Sequence, residues 1–145
     1  MTTEEPSRGH SPPARQLPDQ LHLVGPGWHP LLLRLHEQLL ALDPGYQVDD
    51  LKEKLGAARI RITGTSAACA EVQARVTAAE EQSTTVCEFC GAPGHRRTRS
   101  DAMAGWIKAV CDDCHRAWSH HSIMIINGSV HSRETGQGYR PWSPQ

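Results

Sequence analysis

Leucine dominates the first apolar stretch of the chain and recurs there at helical spacing. The stripe consists of Leu31, Leu35, Leu39 and Leu42, widened by Leu32 and Leu40. Such a period is typical of an amphipathic helix that faces a core. Pro30 suits a first helical turn, and the Asp-Pro-Gly of residues 43–45 predicts the end of the helix. We expect the stripe to form core, with Trp28 packed back onto it.

Alternation of apolar and polar residues replaces the helical period after this helix. The alternating positions are Tyr46 and Val48 in one stretch and Arg59, Ile60, Arg61 and Ile62 in a second. This pattern predicts two short strands, the second of them half-buried with a basic outer face. Between them lies LKEKLG, residues 51–56, where we expect a short turn or helix closed by Gly56. Asp50 and Glu53 stand at capping-box spacing there.

A second helix is predicted over residues 65–83. Cys69, Val72, Val76 and Ala79 fall on one helical face, and charged residues lie elsewhere. On this pattern Cys69 is a small core residue, not a nucleophile or a fifth metal ligand.

Both ends of the chain differ in composition from its centre. Residues 1–25 are rich in Pro, Ser, Gly and charge, which predicts a disordered leader. Near the other end, an apolar run over residues 123–126 followed by Asn127-Gly128 predicts a small hairpin. The final dozen residues are polar and rich in Gly and Pro, and we expect them to be loose.

Length and charge narrow the possible partners only a little. The 145 residues suffice for one modest domain with tails, and 15 Lys and Arg against 16 Asp and Glu give a formal net charge of −1. This balance provides no global attraction to nucleic acid or to an anionic membrane. Because the chain has only four Trp, two Tyr and one Phe, its core is a candidate for stabilisation by a bound metal.

The amino-terminal sequence does not have the pattern of a secretory signal, and no stretch approaches the roughly 20 apolar residues of a membrane span. We therefore expect a cytoplasmic protein without membrane attachment, in which the five cysteines stay reduced. In that compartment Cys-x-x-Cys pairs favour a metal over disulfides. Haem attachment at the Cys-x-x-Cys-His of residues 111–115 normally requires export, so haem is not expected.

Two Cys-x-x-Cys pairs carry the strongest chemical signal. The ligands predicted for one zinc ion are Cys87, Cys90, Cys111 and Cys114, with His115 left open as the alternative to Cys114. Zinc favours four such ligands in a tetrahedron, and a full set of protein ligands is typical of a structural site, because a catalytic zinc keeps one position for water. We expect Trp106, Ile107 and Val110 to cover the ion.

The patterns together predict an α+β fold, with two helices and a small β element followed by a zinc ribbon or treble clef. The predicted division is a disordered leader at 1–25, an α/β part at 26–84, a zinc module at 85–121, and a hairpin and loose tail at 122–145.

The cysteine frame resembles that of HNH endonucleases, which is built on a treble clef. The matching residues are Cys87, Cys90, Gly91, Cys111, Cys114 and His115. Between the pairs that family carries a general-base histidine, commonly preceded by Asp or His, and a downstream asparagine. Here His95 follows Gly94, and no Asn occurs between the pairs. The resemblance therefore implies the zinc frame and does not extend to catalysis.

A broader resemblance spans most of the predicted ordered region. The segments GWHPLL, VDDLKEKLGAARIRI, CEFCG and GWIKAVC look similar to those of small uncharacterised zinc-knuckle proteins of bacteria and their phages. This resemblance implies no established activity.

A non-catalytic interaction or regulatory module with a protein partner is the favoured function, because the charge is near neutral and the predicted metal site is closed. The candidate exposed residues are Arg59, Arg61, Trp106 and the tail around Trp142.

Nucleic-acid binding is the alternative. The residues that would contact phosphates are Arg96, Arg97, Arg99, Lys108 and Arg116. Residues 87–121 hold five Lys and Arg against four Asp and Glu, and four thiolates leave a zinc site formally at −2, so only a directional patch would bind phosphate.

A metal-dependent nuclease is the third hypothesis. It would place His95, His115, His120 and His121 around a second metal, and no carboxylate–histidine or His–Asn arrangement is evident for it.

Overall fold

The computed structural model describes residues 15–63, 69–100, 106–133 and 140–141. Its first element is a 3₁₀ helix over Leu17–Leu23. Leu17 and Val24 are buried, and Leu17 N donates to the Tyr46 hydroxyl at 3.0 Å. The predicted boundary at residue 25 is therefore wrong for residues 15–25, which pack onto the core. A few apolar anchors fix this segment, although its average composition is that of a disordered leader. Residues 1–14 lie outside the described residues.

Helix α1 spans His29–Leu42, as the leucine stripe predicts. Leu31, Leu32, Leu35 and Leu39 are buried, and Leu40 and Leu42 pack partly buried against the same core. Trp28 is fully buried beside them. The helix ends where predicted, and the Asp43 carboxylate accepts a hydrogen bond from Gly45 N at 3.1 Å.

Strands β1 (Gln47–Lys54) and β2 (Ala57–Thr63) form an antiparallel hairpin. The expected turn or helix at 51–56 is wrong over residues 51–54, which continue β1. The register places Leu51 opposite Ile60, so both side chains reach the core. The turn consists of Leu55 and Gly56, both at positive φ. Glu53 does not cap a helix, and its carboxylate accepts from Gly56 N at 2.8 Å.

Helix α2 spans Cys69–Ser83 and packs on α1 and β2. Val72, Val76 and Ala79 face the core as predicted. Cys69 does not, because it is the first residue of the helix and is exposed there. Residues 64–68, in which the predicted helix begins, lie outside the described residues.

The carboxy-terminal half contains short elements around a second apolar cluster. They are β3 (His95–Thr98), β4 (Ile107–Val110), α3 (Asp112–Ser119), β5 (Ile123–Ile126), β6 (Ser129–Ser132) and β7 (Arg140–Pro141). Strands β3 and β4 pair with each other, and the other three form a sheet in the order β5-β6-β7. The cluster consists of Cys87, Phe89, Val110, Trp118, Ile123 and Val130. The predicted α+β class is therefore confirmed.

The predicted hairpin near residue 127 is confirmed by the pairing of β5 with β6 through Asn127 and Gly128, both at positive φ. The last dozen residues are not loose throughout, because β7 pairs with β6. The other residues after Arg133, including Trp142, lie outside the described residues. No helix in the described part of the chain is long and apolar enough to cross a membrane.

Candidate metal centre

The four predicted cysteines come together in space. The sulfur atoms of Cys87, Cys90, Cys111 and Cys114 all lie within 4.8 Å of one another. Across the two Cys-x-x-Cys pairs, Cys90 Sγ lies 3.7 Å from Cys111 Sγ. Four thiolates bound to zinc at roughly 2.3 Å would lie about 3.8 Å apart, so the cluster has the size of a tetrahedral metal site.

The first pair lies on a tight turn of the backbone. Cys87 N donates to Ala92 O at 2.8 Å, and Gly91 N donates back to Cys87 O at 2.9 Å. Gly91 has a φ of 85°, a conformation that side chains other than glycine rarely adopt. Ala92 N also points at Cys90 Sγ from 3.5 Å. The turn thus presents two sulfurs on one side.

The second pair lies at the amino terminus of α3. Cys111 is the N-cap residue, and its sulfur accepts from Cys114 N at 3.4 Å. Backbone N–H groups and the helix dipole at this end stabilise negative charge on sulfur. The helix also directs His115 elsewhere: its Nε2 lies 2.8 Å from Thr98 O, and the clustered fourth side chain is Cys114.

The crowded sulfurs influence one another's protonation. A hydrogen bond from Cys114 lowers the pKa of Cys87 to about 5, whereas burial is the main cause that raises the pKa of Cys90 to about 11. The Cys114 thiol has a raised pKa because it donates that hydrogen bond to Cys87. Several thiolates this close repel one another, so a bound cation is required before all four deprotonate.

The apolar cover of the cluster differs in part from the expectation. Val110 is buried there as predicted, but Phe89 and Trp118 supply the large rings. Trp106 is 56% exposed and lines cavities to which none of the four cysteines contributes. Trp106 precedes the first residue of β4, whereas Cys111 follows the last residue of that strand. The position of Phe89 between Cys87 and Cys90 was the one sequence signal that it could pack against the cluster.

Glu88, inside the first cysteine pair, is a buried carboxylate beside the cluster that the sequence did not indicate. Its side chain is only 2% exposed, and its two carboxylate oxygens accept from Lys108 Nζ at 2.9 Å and from Gly25 N at 3.0 Å. Burial raises the pKa of Glu88, and the Lys108 charge opposes that rise. Its backbone O also accepts from Gly27 N at 2.8 Å. Glu88 therefore attaches the metal turn to the amino-terminal segment.

Most of the predicted phosphate-binding residues have intramolecular partners. Lys108 also lies 3.6 Å from Glu53, in addition to its pairing with Glu88. Arg97 pairs with Asp112, and Arg116 pairs with Asp113. The side chains of Arg97 and Lys108 are mostly buried in these pairs, whereas the Arg116 side chain is 66% exposed. Arg97 also holds the pKa of Asp112 below its usual range.

The other two predicted basic residues are Arg96 and Arg99. Arg96 is exposed, and the stem of its side chain lies over Gly56 in the β1–β2 turn. Arg99 places its guanidinium over the rings of Trp106 and Trp118, at 4.9 and 5.8 Å from their centroids.

The histidines proposed for a second metal are not assembled. His95 Nε2 accepts from Arg97 Nε at 3.1 Å, and His115 contacts Thr98 as described above. Within the described ranges, the four cysteines form the one group of three or more His, Cys, Asp or Glu side chains close enough to share an ion. His120 and His121 do not join it.

Comparisons of the chain with models of protein families, with curated proteins and with solved structures find no match. The chemistry of the site is therefore inferred from its own residues.

Proposed function

We propose that the four cysteines bind one structural zinc ion. The observation that carries this proposal is the cluster of four sulfurs within 4.8 Å, which supplies a complete tetrahedral set from the protein. Four cysteine ligands favour zinc over magnesium or calcium, because those two ions prefer oxygen ligands. The ion would join the turn at residues 87–91 to α3, and through Glu88 to the amino-terminal segment.

The order of elements supports a treble-clef frame for this module. A turn carrying the first cysteine pair comes first, the β3–β4 hairpin follows, and the first turn of α3 carries the second pair. The HNH resemblance likewise implies a treble clef.

We further propose that the protein is a non-catalytic interaction module of the cytoplasm that acts through a protein partner. Four protein ligands leave the zinc no position for water, so the ion serves structure and not hydrolysis. The pairing of Arg97 and Lys108, whose side chains are mostly buried against carboxylates, supports a protein partner over phosphate binding at these two residues.

Native mass spectrometry of the untagged protein tests the metal. We expect one zinc per chain in the wild type and in Cys69→Ser, a matched control because Cys69 is exposed and lies outside the cluster. Cys90→Ser removes a predicted ligand that is also exposed, and this variant should lose most of the zinc. A folded wild type without metal, or unchanged circular dichroism after verified removal of zinc, would overturn the proposal.

Nucleic-acid binding remains the second candidate, on a different surface from the one predicted. Four cations on the outer face of the β1–β2 hairpin line a cavity of about 280 Å³: Lys52, Lys54, Arg59 and Arg61. Lys52 lies directly opposite Arg59, a like-charge pair that an anion would relieve. Three neighbouring carboxylates, Asp49, Asp50 and Glu80, offset much of this charge.

Titration of the protein with duplex DNA at several salt concentrations tests nucleic-acid binding. Phosphate contacts make the affinity fall steeply as the salt concentration rises. Affinity that does not change with salt counts against it. Magnesium-dependent cleavage lost in His120→Ala would instead support a nuclease.

A further inference from the structure

The four sulfurs of the metal centre are not equally accessible from solvent. Cys90 is exposed, whereas Cys87 is fully buried in the apolar cluster that contains Phe89. Cys111 and Cys114 are half-buried. Cys90 is therefore the sulfur of the site that a small reagent in solution reaches first.

The sulfur of Cys111 lies close to this exposed sulfur and belongs to the other Cys-x-x-Cys pair. Cys90 Sγ and Cys111 Sγ are separated by 3.7 Å. A disulfide bond holds its two sulfurs about 2.05 Å apart, so a movement of roughly 1.7 Å closes the gap. Because Cys90 is exposed, its side chain has room to make this movement. The geometry thus favours a bond that crosses from one pair to the other.

Backbone amides support a thiolate at both positions. Ala92 N lies 3.5 Å from Cys90 Sγ, and Cys114 N donates to Cys111 Sγ at 3.4 Å. Cys111 is also the N-cap residue of α3, where the helix dipole favours negative charge. The thiolate is the reactive form of cysteine, and cysteine ligands of zinc are deprotonated.

An exposed cysteine with a second cysteine beside it is the arrangement of a redox-sensitive pair. The Cys90 thiolate attacks one oxygen of a peroxide, the O–O bond breaks, hydroxide leaves, and Cys90 becomes a sulfenic acid. The Cys111 thiolate then attacks the sulfenic sulfur, the S–S bond forms, and a second hydroxide leaves. Two thiolates and one hydrogen peroxide thus give one disulfide and two hydroxides, with two electrons passing from sulfur to oxygen.

A bond between these two sulfurs has two structural consequences. Only Cys87 and Cys114 remain as ligands, and two cysteines do not supply the tetrahedral set that holds zinc. The same bond links the turn at residues 87–91 covalently to α3, which are the two elements that the proposed ion joins. The oxidised chain therefore keeps this attachment without the metal. A disulfide within either pair would leave the turn and the helix unconnected.

We propose that Cys90 and Cys111 form a peroxide-sensitive pair, and that oxidation of this pair to a disulfide releases the zinc while the turn stays attached to α3. This inference rests on the proposed zinc site and names the chemical stimulus to which that site responds.

The test uses the zinc-loaded full chain with Cys69→Ser, because Cys69 is exposed, lies outside the cluster and would otherwise consume peroxide. Hydrogen peroxide is added in steps beside a coloured chelator too weak to remove zinc by itself. We expect one zinc ion to be released for each disulfide formed. Peptide mapping should find Cys90 linked to Cys111, and dithiothreitol with added zinc should restore the loaded chain.

The order of reaction and the choice of pair are tested in the same samples. A reagent that traps sulfenic acids should label Cys90 at early times, and labelling of Cys111 instead would overturn the assigned order. A disulfide within one pair would overturn the proposal. So would zinc that stays bound in excess peroxide, or a sulfinic acid on Cys90 without any disulfide.

Amide hydrogen exchange tests the attachment of the turn. The Cys87 amide should exchange more slowly in the oxidised chain than in the reduced, metal-free chain, because the disulfide replaces the link that the metal supplied. Equal exchange in these two forms would show that the bond does not hold the turn against α3, and would overturn that part of the proposal.

Zinc content measured before peroxide is added separates the two proposals. One zinc per chain that peroxide fails to release defeats this inference alone. A chain that contains no zinc and still forms the Cys90–Cys111 disulfide defeats the metal proposal and leaves the redox pair standing.

Discussion

Gly27 lies against the backbone of the first cysteine pair, where its N donates to Glu88 O at 2.8 Å. A Cβ at this position would overlap Cys87 O and lie 2.5 Å from Gly91 N, and both are backbone atoms that cannot rotate away. The absence of a side chain at residue 27 is thus part of how the metal turn docks.

Gly27→Ala should lower the free energy of unfolding by about 1–3 kcal/mol, the usual cost of overpacking, and should weaken zinc binding. Gly45→Ala is the control, since the nearest atom to its Cβ would be the Asp43 carboxylate at 3.6 Å. Urea denaturation of both variants, with zinc present, measures the difference. Equal midpoints for the two variants would contradict the close approach at Gly27.

Tyr46 joins the amino-terminal segment to α1 through its buried hydroxyl. That oxygen accepts from Leu17 N at 3.0 Å and lies 2.6 Å from His36 Nδ1. Burial raises the pKa of Tyr46 above its ordinary value of 10.0. As the pH climbs past 10.0, the unfolded chain loses the phenolic proton first. This contribution to stability is therefore complete below pH 10.0 and is lost as the pH rises through the folded pKa.

Tyr46→Phe should cost about 1–3 kcal/mol at neutral pH, because Leu17 N loses its acceptor, and the cost should shrink above pH 10.0. The measurement is the free energy of unfolding of both proteins from neutral to alkaline pH. Subtracting the two curves cancels the titration of other groups. Curves that stay parallel would show that Tyr46 titrates normally in the folded protein.

At the scale of elements, the outer edge of β2 is covered by α2. Ala58 N donates to Ser83 Oγ at 2.9 Å, and Ile60 N donates to the Glu80 carboxylate at 2.8 Å. The end of the helix therefore satisfies strand amides that would otherwise be unpaired at a sheet edge. Ser83 is fully buried in this role.

Ser83→Ala should lower the free energy of unfolding by about 1–3 kcal/mol, since Ala58 N is left buried without an acceptor. Thr84→Ala, next along the chain, removes only an exposed hydroxyl that bonds to Glu81 O, and should change stability by less than about 0.5 kcal/mol. Thermal melting of both variants compares them. A Ser83→Ala variant as stable as Thr84→Ala would show that the Ala58 amide finds another partner.

The elements that the sequence predicted well are those with strong local signals. The leucine period located α1, and the Asn-Gly turn located the β5–β6 hairpin. The prediction was wrong at residues 51–54, where capping-box spacing competes with the register that pairs Leu51 with Ile60. It was wrong at residues 15–25, whose order comes from contacts with Tyr46 and Glu88, both distant in the chain.

At the scale of the whole molecule, the metal centre is tied to both halves of the chain. Glu88 O accepts from Gly27 N, Glu88 N donates to Ala109 O at 2.9 Å, and Trp28 Nε1 donates to Val86 O at 2.9 Å. The leucine core packs separately from the cluster around Phe89 and Trp118. Loss of the ion should therefore loosen the second cluster and its attachments before the leucine core.

Removal of the proposed zinc ion by a chelator should speed amide hydrogen exchange at Cys87 and Gly27, while the amides of Leu35 and Leu39 stay protected. The reason is that metal binding supplies folding free energy to the module, whereas the leucine core is held by its own packing. Mass-spectrometric exchange on the metal-free and metal-loaded chain makes the comparison. Equal acceleration in α1 would mean that the chain unfolds as one unit, and unchanged exchange at Cys87 would mean that the turn forms without metal.

The sequence by itself determined the α+β class, the leucine helix and the four cysteines that meet, because period, turn chemistry and ligand spacing are local properties. Only the tertiary structure decided that Cys114 and not His115 joins the cluster, that Arg97, Lys108 and Arg116 have carboxylate partners, and that Trp106 lines a groove apart from the metal. Glu88 shows the physical reason most clearly. Its carboxylate is buried because Gly25, 63 positions away, and Lys108, 20 positions away, converge on it, and contacts between such distant residues leave no periodic trace in the chain.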